Sequence, residues 1–200
     1  MKASTLTTIA AGLVLGAAFL PASRAASPFD EYSRRGKLDV YSFGQYQSGD
    51  TARSSSLGVT LKLDSSYGGG IGVGYHFTDN LAVNTDLSIG SAGLTGTAAG
   101  TTIRTDLTQI GANLGLEYNI LKRRLTPLLT AGGGFVNLSD VGGIGASETD
   151  FSYFVGGGVR WDINDHWFMK AVYKANFTEL RNTDSSLLLH TLTLGIGYSF

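Results

Sequence analysis

Short segments in which apolar residues stand at every second position fill this chain beyond residue 36, and they constrain its fold more than any other feature. In the clearest segment the apolar residues are Ile71, Val73, Tyr75 and Phe77, and glycines separate most of them. A period of two is the pattern of a β-strand with two different faces, whereas an amphipathic helix repeats every 3.6 residues. No long stretch keeps the helical period, and no run of ~18 apolar residues occurs. We therefore expect an all-β chain.

Eight such segments follow one another along the chain. Six alternate cleanly and cover residues 70–77, 81–90, 109–118, 151–161, 167–177 and 191–200. In a seventh, which carries Pro127, the residues assigned to the outward face are Leu125, Leu129, Ala131 and Phe135. Residues 38–47 could alternate in either phase. We assign their outward face to Leu38, Val40, Ser42, Gly44 and Tyr46, with Lys37 and Asp39 inside.

The linkers between these segments alternate in length. The short ones are 78–80, 119–124 and 162–165, and the long ones are 49–66, 91–106, 139–150 and 178–189. Short turns at one end and long loops at the other are typical of a transmembrane β-barrel of the outer-membrane type. Each segment has close to the ~9–11 residues that a tilted strand needs to cross a bilayer. In hydrocarbon such a sheet must close, because every backbone polar group needs a partner.

The count of strands has one alternative. Leu57, Val59, Leu61 and Leu63 share the phase of the second segment, so that strand can extend into the first long linker. Taken as a separate strand, this stretch would give an odd total, whereas bacterial single-chain barrels have an even number. We therefore predict an eight-stranded antiparallel up-and-down transmembrane β-barrel.

Composition excludes several classes of protein. The 200 residues include 28 Gly and no Cys, so the chain has neither disulfides nor thiolate metal sites. Charged residues make up only 16%, against ~25% in a typical soluble domain. With 15 basic and 16 acidic residues there is no positive excess for nucleic acid. We expect no nucleic-acid partner.

The first residues follow the plan of a secretory signal peptide. Lys2 precedes an apolar, uncharged run over 6–20, and Pro21 ends it. Ser23 and Ala25 then fit a small-x-small cleavage site. The run is shorter than the ~20 residues of a membrane-spanning helix, which is the alternative. The predicted plan is a cleaved signal over 1–25, a short flexible periplasmic segment over 26–36 and the barrel over 37–200.

The alternation assigns each face a role. The face that carries the aromatic residues would contact lipid, and the face that carries the glycines would line the bore. Charged side chains on the inward face, which we expect to form a paired polar network that closes the bore, are Asp39, Asp86, Glu117, Arg160, Lys170 and Lys174. Aromatic side chains beside the short turns, which we expect to form a girdle at the periplasmic interface, are Tyr75, Phe77, Tyr118, Trp161 and Trp167. A soluble lipocalin-like barrel, the alternative, would have the two faces exchanged.

Three motifs resemble the small outer-membrane protein β-barrel families, which include the outer-membrane protein A and X types. The chain ends on a strand with outward residues Leu192, Leu194, Ile196, Tyr198 and Phe200, which looks like the C-terminal signal of such barrels. Residues 72–81 and 161–167 resemble their strand–turn–strand units. The resemblance implies the cell outer membrane of a Gram-negative bacterium and insertion by the barrel-assembly machinery. It also implies contacts with outer-membrane lipids and lipopolysaccharide, and a monomer.

The sequence contains little that indicates chemistry. The histidines His76, His166 and His190 form no ligand cluster in the sequence, so we expect no metal, no cofactor and no enzymatic activity. The leading hypothesis is a non-enzymatic structural or surface-interaction role through the extracellular loops. A small porin-like channel for small solutes is the alternative. A barrel-embedded enzyme that modifies lipid and uses His190 comes third.

Overall fold

A computed structural model describes residues 27–54, 59–98, 101–140, 148–179 and 186–200, so the predicted signal peptide lies outside the described residues. Within these ranges no helix is long and apolar enough to cross a membrane. The strands are β1 Leu38–Gln47, β2 Asp50–Ser54, β3 Val59–Leu63, β4 Ser66–His76, β5 Leu81–Ala98, β6 Thr101–Asn119, β7 Leu125–Asp140, β8 Glu148–Asp162, β9 Trp167–Glu179 and β10 Ser186–Ser199.

Eight of these strands form a closed antiparallel ring. Their order around the ring is β1, β4, β5, β6, β7, β8, β9 and β10, and β10 pairs again with β1. The closing pair runs from Asp39 opposite Ser199 to Gln47 opposite Thr191. Each strand of the ring therefore has a hydrogen-bonded neighbour on both sides, as a sheet requires where no water can satisfy its edges. The predicted eight-stranded barrel is confirmed.

The remaining strands, β2 and β3, form a hairpin that continues the β1–β4 pair beyond the ring. β3 pairs with the far part of β5, where Leu63 lies opposite Leu94. Tyr67 of β4 lies opposite Ser91, which also belongs to β5. Between these two pairs the chain from β3 to β4 has one residue more than β5 has, which is a β-bulge. The second strand thus extends into the first linker as predicted, and it adds no strand to the ring.

The linker predicted as a loop over 91–106 is mostly strand. β5 continues to Ala98 and β6 begins at Thr101, and these two residues are paired. The prediction of a loop is therefore wrong for 91–98 and 101–106. This linker is rich in Thr, a residue that favours strands, and the hairpin satisfies its own backbone groups without needing an apolar face.

Side chains alternate between the bore and the outer surface along the ring. In β1, Asp39 and Tyr41 are buried, whereas Leu38 and Val40 are 41% and 43% exposed. The structure therefore agrees with the phase assigned to this ambiguous segment. The same alternation holds in β7, where Leu129, Ala131 and Phe135 face outward.

Inward glycines give space to inward aromatic rings. A Cβ atom on Gly72 would lie 2.4 Å from Tyr41 Cζ. A Cβ atom on Gly197 would lie 2.4 Å from Phe168 Cζ. Real Cβ contacts are never this short, so a larger residue at either glycine would collide with the ring. Glycines and large rings therefore fill the bore together, as expected for the interior of an eight-stranded barrel.

Residues 27–37, which we call the N-terminal strap, cross the end of the barrel that carries the short turns. The strap begins against the β6–β7 turn, where Leu125 N donates to Pro28 O at 2.9 Å. It ends in β1, on the opposite side of the ring. Arg34, in its middle, is fully buried. The expectation of a flexible lead-in is therefore wrong for 27–36, because this polar segment packs into the mouth of the bore.

Candidate functional site in the barrel bore

Arg160 of β8 is the centre of a buried ionic cluster near the short-turn end. Its guanidinium donates to Asp39 of β1, and its Nε donates to Asp162 Oδ1 at 2.9 Å. Asp39 also accepts from Ser199 Oγ at 2.6 Å, and His76 Nε2 lies 3.0 Å from its other oxygen. All five side chains are at most 1% exposed. The cluster ties β1, β4, β8 and β10 together across the bore.

A second cluster lies further along the bore, around Glu117 of β6. Lys170 Nζ lies 3.0 Å from Glu117 Oε2. The side-chain amides of Asn84 and Asn119 donate to the same carboxylate at 2.9 and 3.2 Å. This carboxylate therefore accepts two amide hydrogen bonds in addition to the one from its cation partner.

A third pair lies nearest the long-loop end. Lys174 Nζ of β9 lies 3.1 Å from Asp86 Oδ2 of β5, on the opposite wall of the bore. The hydroxyl of Tyr41 donates to the other oxygen of Asp86. The carboxylate is thus held by two strands that are not its neighbours in the sheet.

Each of the three cations in these clusters also lies over an aromatic ring. The cation-to-centroid distances are 4.0 Å for Arg160 over Phe168, 4.2 Å for Lys170 over Tyr41 and 4.7 Å for Lys174 over Phe154. The negative face of a ring attracts a cation, and more strongly where water is excluded. The rings that occupy the space left by glycines therefore also stabilise the charges.

The strap adds a fourth cation to the bore. Arg34 Nε donates to Asp162 Oδ2 at 2.9 Å, so Asp162 is shared between Arg34 and Arg160. The other nitrogens of Arg34 donate to the carbonyl oxygens of Leu121 and Arg123 in the β6–β7 turn, at 3.3 and 2.5 Å. Arg34 thus connects the strap to the β6–β7 turn and to the cluster around Arg160.

The half-buried carboxylate of Asp79 fastens the strap to the β4–β5 turn, and the exposed carboxylate of Asp165 joins the β6–β7 and β8–β9 turns. Asp79, in the β4–β5 turn, accepts from Ser33 Oγ at 2.7 Å and lies 3.3 Å from Lys122 Nζ. The hydrogen bond from Ser33, and then the one from Lys122, lower the pKa of Asp79 to about 2. Asp165, in the β8–β9 turn, lies 2.7 Å from Arg124, whose hydrogen bond lowers the pKa of Asp165.

Tyr32 packs the strap against the same region. Its ring lies 4.5 Å from both Lys37 Nζ and the Arg124 guanidinium, and its hydroxyl donates to Asp165 O at 3.0 Å. Burial, and then the negative charge of Asp162, raise the pKa of Tyr32 to about 12. All three short turns therefore contact the strap.

The six charged residues predicted to line the bore all lie there, as the pairs Asp39–Arg160, Glu117–Lys170 and Asp86–Lys174. Sequence reasoning missed two further members, Arg34 and Asp162, because it placed them in a lead-in and in a turn. Asp162 shares the phase of Arg160, and that was a usable signal. Arg34 lies in a non-periodic segment that gave none. The ion-paired clusters of the bore thus hold four basic and four acidic side chains.

The residues predicted as a girdle lie beside the short turns. Tyr75, Phe77 and Tyr118 are 43%, 53% and 49% exposed on the outer surface, whereas Trp161 and Trp167 are half-buried. The predicted C-terminal signal residues also lie on this surface. The rings of Trp167 and Tyr198 are 5.4 Å apart, and those of Tyr198 and Phe200 are 4.8 Å apart. These rings form one aromatic group where the last strand ends.

The described part of the bore contains two cavities that lie among the clusters. One, of about 40 Å³, lies in the middle and is lined by Asn84, Glu117, Lys170 and Phe154 among others. The other, of about 70 Å³, lies in the half nearer the long loops. Phe43, Asp86, Lys174 and Thr193 border both cavities and form the layer between them.

Residues 10–200 match the family model of the outer membrane protein beta-barrel domain. The chain belongs to this family. The barrel is therefore an outer-membrane protein of the Gram-negative type, and its localisation and class agree with the expectations from sequence. Barrels of this class have short turns in the periplasm and longer loops outside. The strap accordingly lies at the periplasmic end of this outer-membrane barrel.

Solved structures of low sequence identity share the fold. OprG of Pseudomonas aeruginosa is 13% identical, with a TM-score of 0.59, over 84% of this chain and 98% of that one. Neisserial surface protein A is 18% identical, with a TM-score of 0.56, over 82% and 98%. Ail of Yersinia pestis, in complex with the heparin analogue sucrose octasulfate, is 20% identical, with a TM-score of 0.53, over 83% and 99%. No curated protein matches this chain.

Proposed function

We propose that this protein is a non-enzymatic, monomeric component of the outer membrane with a closed bore, and that it acts through its extracellular surface. The observation that carries the proposal is the set of paired charges across the bore, with the strap over its periplasmic end. Separating a buried pair leaves an uncompensated charge at a cost of about 3–5 kcal/mol. A solute would have to break several such pairs in series.

The histidines of the described residues support a role without catalysis. His76 and Ser199 both bind the carboxylate of Asp39 rather than each other, so these two side chains do not form a serine–histidine pair. His190 lies on the outer face of β10, and its Nδ1 is 2.6 Å from the hydroxyl of Tyr173. The hydroxyl that contacts the imidazole of His190 is therefore that of a tyrosine and not that of a serine. No group of three His, Cys, Asp or Glu residues that could hold a metal occurs among the described residues.

The proposed partners follow from the outer surface. Aromatic side chains near the extracellular end, such as the stacked pair Tyr153 and Phe177 with centroids 5.1 Å apart, would contact lipopolysaccharide. The girdle near the short turns would contact phospholipid. The C-terminal strand, with its aromatic end, would be recognised by the barrel-assembly machinery. The proposal includes no nucleic-acid partner.

A conductance measurement tests the closed bore. We expect purified protein in planar bilayers to give no stable large steps, and proteoliposomes not to swell in small sugars or amino acids. A general porin reconstituted in parallel shows that insertion and detection work. Stable large steps would contradict the proposal. Slow swelling without such steps would favour the second candidate, a narrow conduit, which the two cavities in series along the bore support.

A further inference from the structure

The cavity of about 70 Å³ in the extracellular half of the bore, which we call the vestibule, has a wall of unusual chemistry. Most of its polar lining is uncharged. Carboxamides and a hydroxyl that face it come from four different strands, and they are Gln45, Gln47, Gln109, Asn113, Asn176 and Thr191. A carboxamide carries two donors and an acceptor on one side chain, although the Asn176 amide already donates to Leu189 O and Thr191 Oγ1. The vestibule therefore presents convergent neutral donors and acceptors.

Gln47 shows that this wall is not saturated by the protein itself. It lies on β1 and is only 5% exposed. Nevertheless, no hydrogen bond joins its carboxamide to another side chain of the described part of the chain. The carboxamide of Gln47 borders the vestibule and is therefore available to water or to a ligand there.

The floor of the vestibule restricts which ligands fit. Lys174 and Asp86 are the charged groups that line it, and they are paired with each other at 3.1 Å. A charged ligand would have to compete with this pair. An apolar ligand would leave the carboxamides unsatisfied. The ring of Phe43, which also lines the floor, offers one apolar surface.

We propose that the vestibule binds a neutral polyhydroxylated ligand of about the size of one sugar ring. At ~10–15 Å³ for each water, a cavity of about 70 Å³ holds about five to seven waters, comparable to the hydroxyl and ring oxygens of a monosaccharide. Vicinal hydroxyls pair with carboxamides through reciprocal hydrogen bonds, and the C–H face of the ring packs on Phe43. The ligand is either a free monosaccharide or the terminal residue of a longer glycan.

This proposal is independent of the closed bore. Binding in the vestibule requires only access from the extracellular end, because the Asp86–Lys174 layer separates it from the periplasmic half. A barrel that conducts slowly could still bind a sugar, and a closed barrel could fail to bind one. The outcomes of the two tests are therefore distinguishable.

The experiment is saturation-transfer difference NMR on purified protein in an amine-oxide detergent, because maltoside and glucoside detergents would occupy the site. The probes are glucose, galactose and mannose, each with its matched disaccharide, and glucose 6-phosphate as the charged analogue. We expect saturation transfer to at least one neutral hexose and at least tenfold weaker binding of the phosphate. Transfer to both rings of a disaccharide favours a glycan, and transfer to the monosaccharide alone favours a free sugar.

Matched variants connect binding to the vestibule. Gln47→Leu and Gln109→Leu each remove one carboxamide while keeping the side-chain size, and we expect each to weaken binding at least tenfold. Ser42→Ala, on the outward face of the same strand as Gln47, should leave binding unchanged. Heat-modifiable gel migration checks that each variant is folded. The proposal is overturned if no neutral sugar gives a signal, if both folded Gln variants bind like wild type, or if glucose 6-phosphate binds as tightly as glucose.

Discussion

Replacing Arg34 with Met tests whether the strap belongs to the barrel's buried core. Arg34 donates to the Asp162 carboxylate and to the carbonyl oxygens of Leu121 and Arg123. Removing one member of a buried pair costs about 3–5 kcal/mol. We expect the lower end of this range, about 3 kcal/mol, because Asp162 keeps its hydrogen bond from Arg160 at 2.9 Å. Met has a similar length, so packing should change little.

The neighbouring Arg35 supplies the matched control. Its side chain is exposed, and its backbone N–H donates to the carboxylate of Asp79. Arg35→Met should therefore change the free energy of unfolding by less than about 0.5 kcal/mol. Both variants remove one positive charge from the same segment. Any difference between them thus comes from burial and not from net charge.

The assay is equilibrium urea unfolding of the barrel in phospholipid vesicles, followed by tryptophan fluorescence and by gel mobility. A loss of about 3 kcal/mol in Arg34→Met, with Arg35→Met close to wild type, is the expected result. If the two variants differ by less than about 1 kcal/mol, the strap contributes nothing specific to the folded state. Arg34 would then not be a stabilising member of the buried clusters in the bore.

Three further predictions concern the bore and the strap. Gly72→Leu should destabilise the barrel by more than about 2 kcal/mol, because the ring of Tyr41 already occupies the space that the new side chain would need. Gly157→Ala is the control: a Cβ atom there has its nearest neighbour at 3.4 Å, so the substitution should cost less than about 1 kcal/mol. In a double-mutant cycle, Lys170→Met and Glu117→Gln should show a coupling of at least about 1 kcal/mol, and strict additivity would refute the pairing. The low pKa of Asp79 makes its contribution present at neutral pH and lost as the pH falls towards about 2. Strap amides should therefore exchange hydrogen more slowly in wild type than in Asp79→Asn at pH ~6, and the difference should be much smaller at pH ~2, where about half of the Asp79 carboxyls are protonated. A difference of equal size at both pH values would contradict the assignment.

The outward face of the barrel could be predicted from sequence because one physical rule governs it. Successive side chains of a strand point to opposite faces, and lipid accepts only apolar ones. The phase of β1 followed from this rule even though its pattern was ambiguous, and Asp39 is indeed inside. Which inward charge pairs with which could not be predicted. Lys174 and Asp86 are 88 residues apart in sequence, and ring closure alone brings them together.

The parts that sequence reasoning missed lie where no period exists. The extent of the β5–β6 hairpin was underestimated, since a Thr-rich strand beyond the membrane needs no apolar face and leaves no alternation. The bulge at residues 64–65 shifts the pairing by one residue and leaves no mark in composition. The strap was missed for the same reason. Its structure depends on single contacts, such as that of Ser33 with Asp79, and not on a repeating face.

The charges of the bore give a reason for the strap to be where it is. In the clusters described above, the strands supply four acids, Asp39, Asp86, Glu117 and Asp162, and three cations. A further carboxylate of the strands, Asp150, is buried nearer the long loops. Clusters built only from strands would therefore hold one carboxylate more than cations in a medium that penalises net charge. Arg34 supplies the missing cation from outside the sheet. The strap thus balances the charges of these clusters, and a barrel that lacked it would need either a neutral residue at 162 or a water-filled periplasmic mouth.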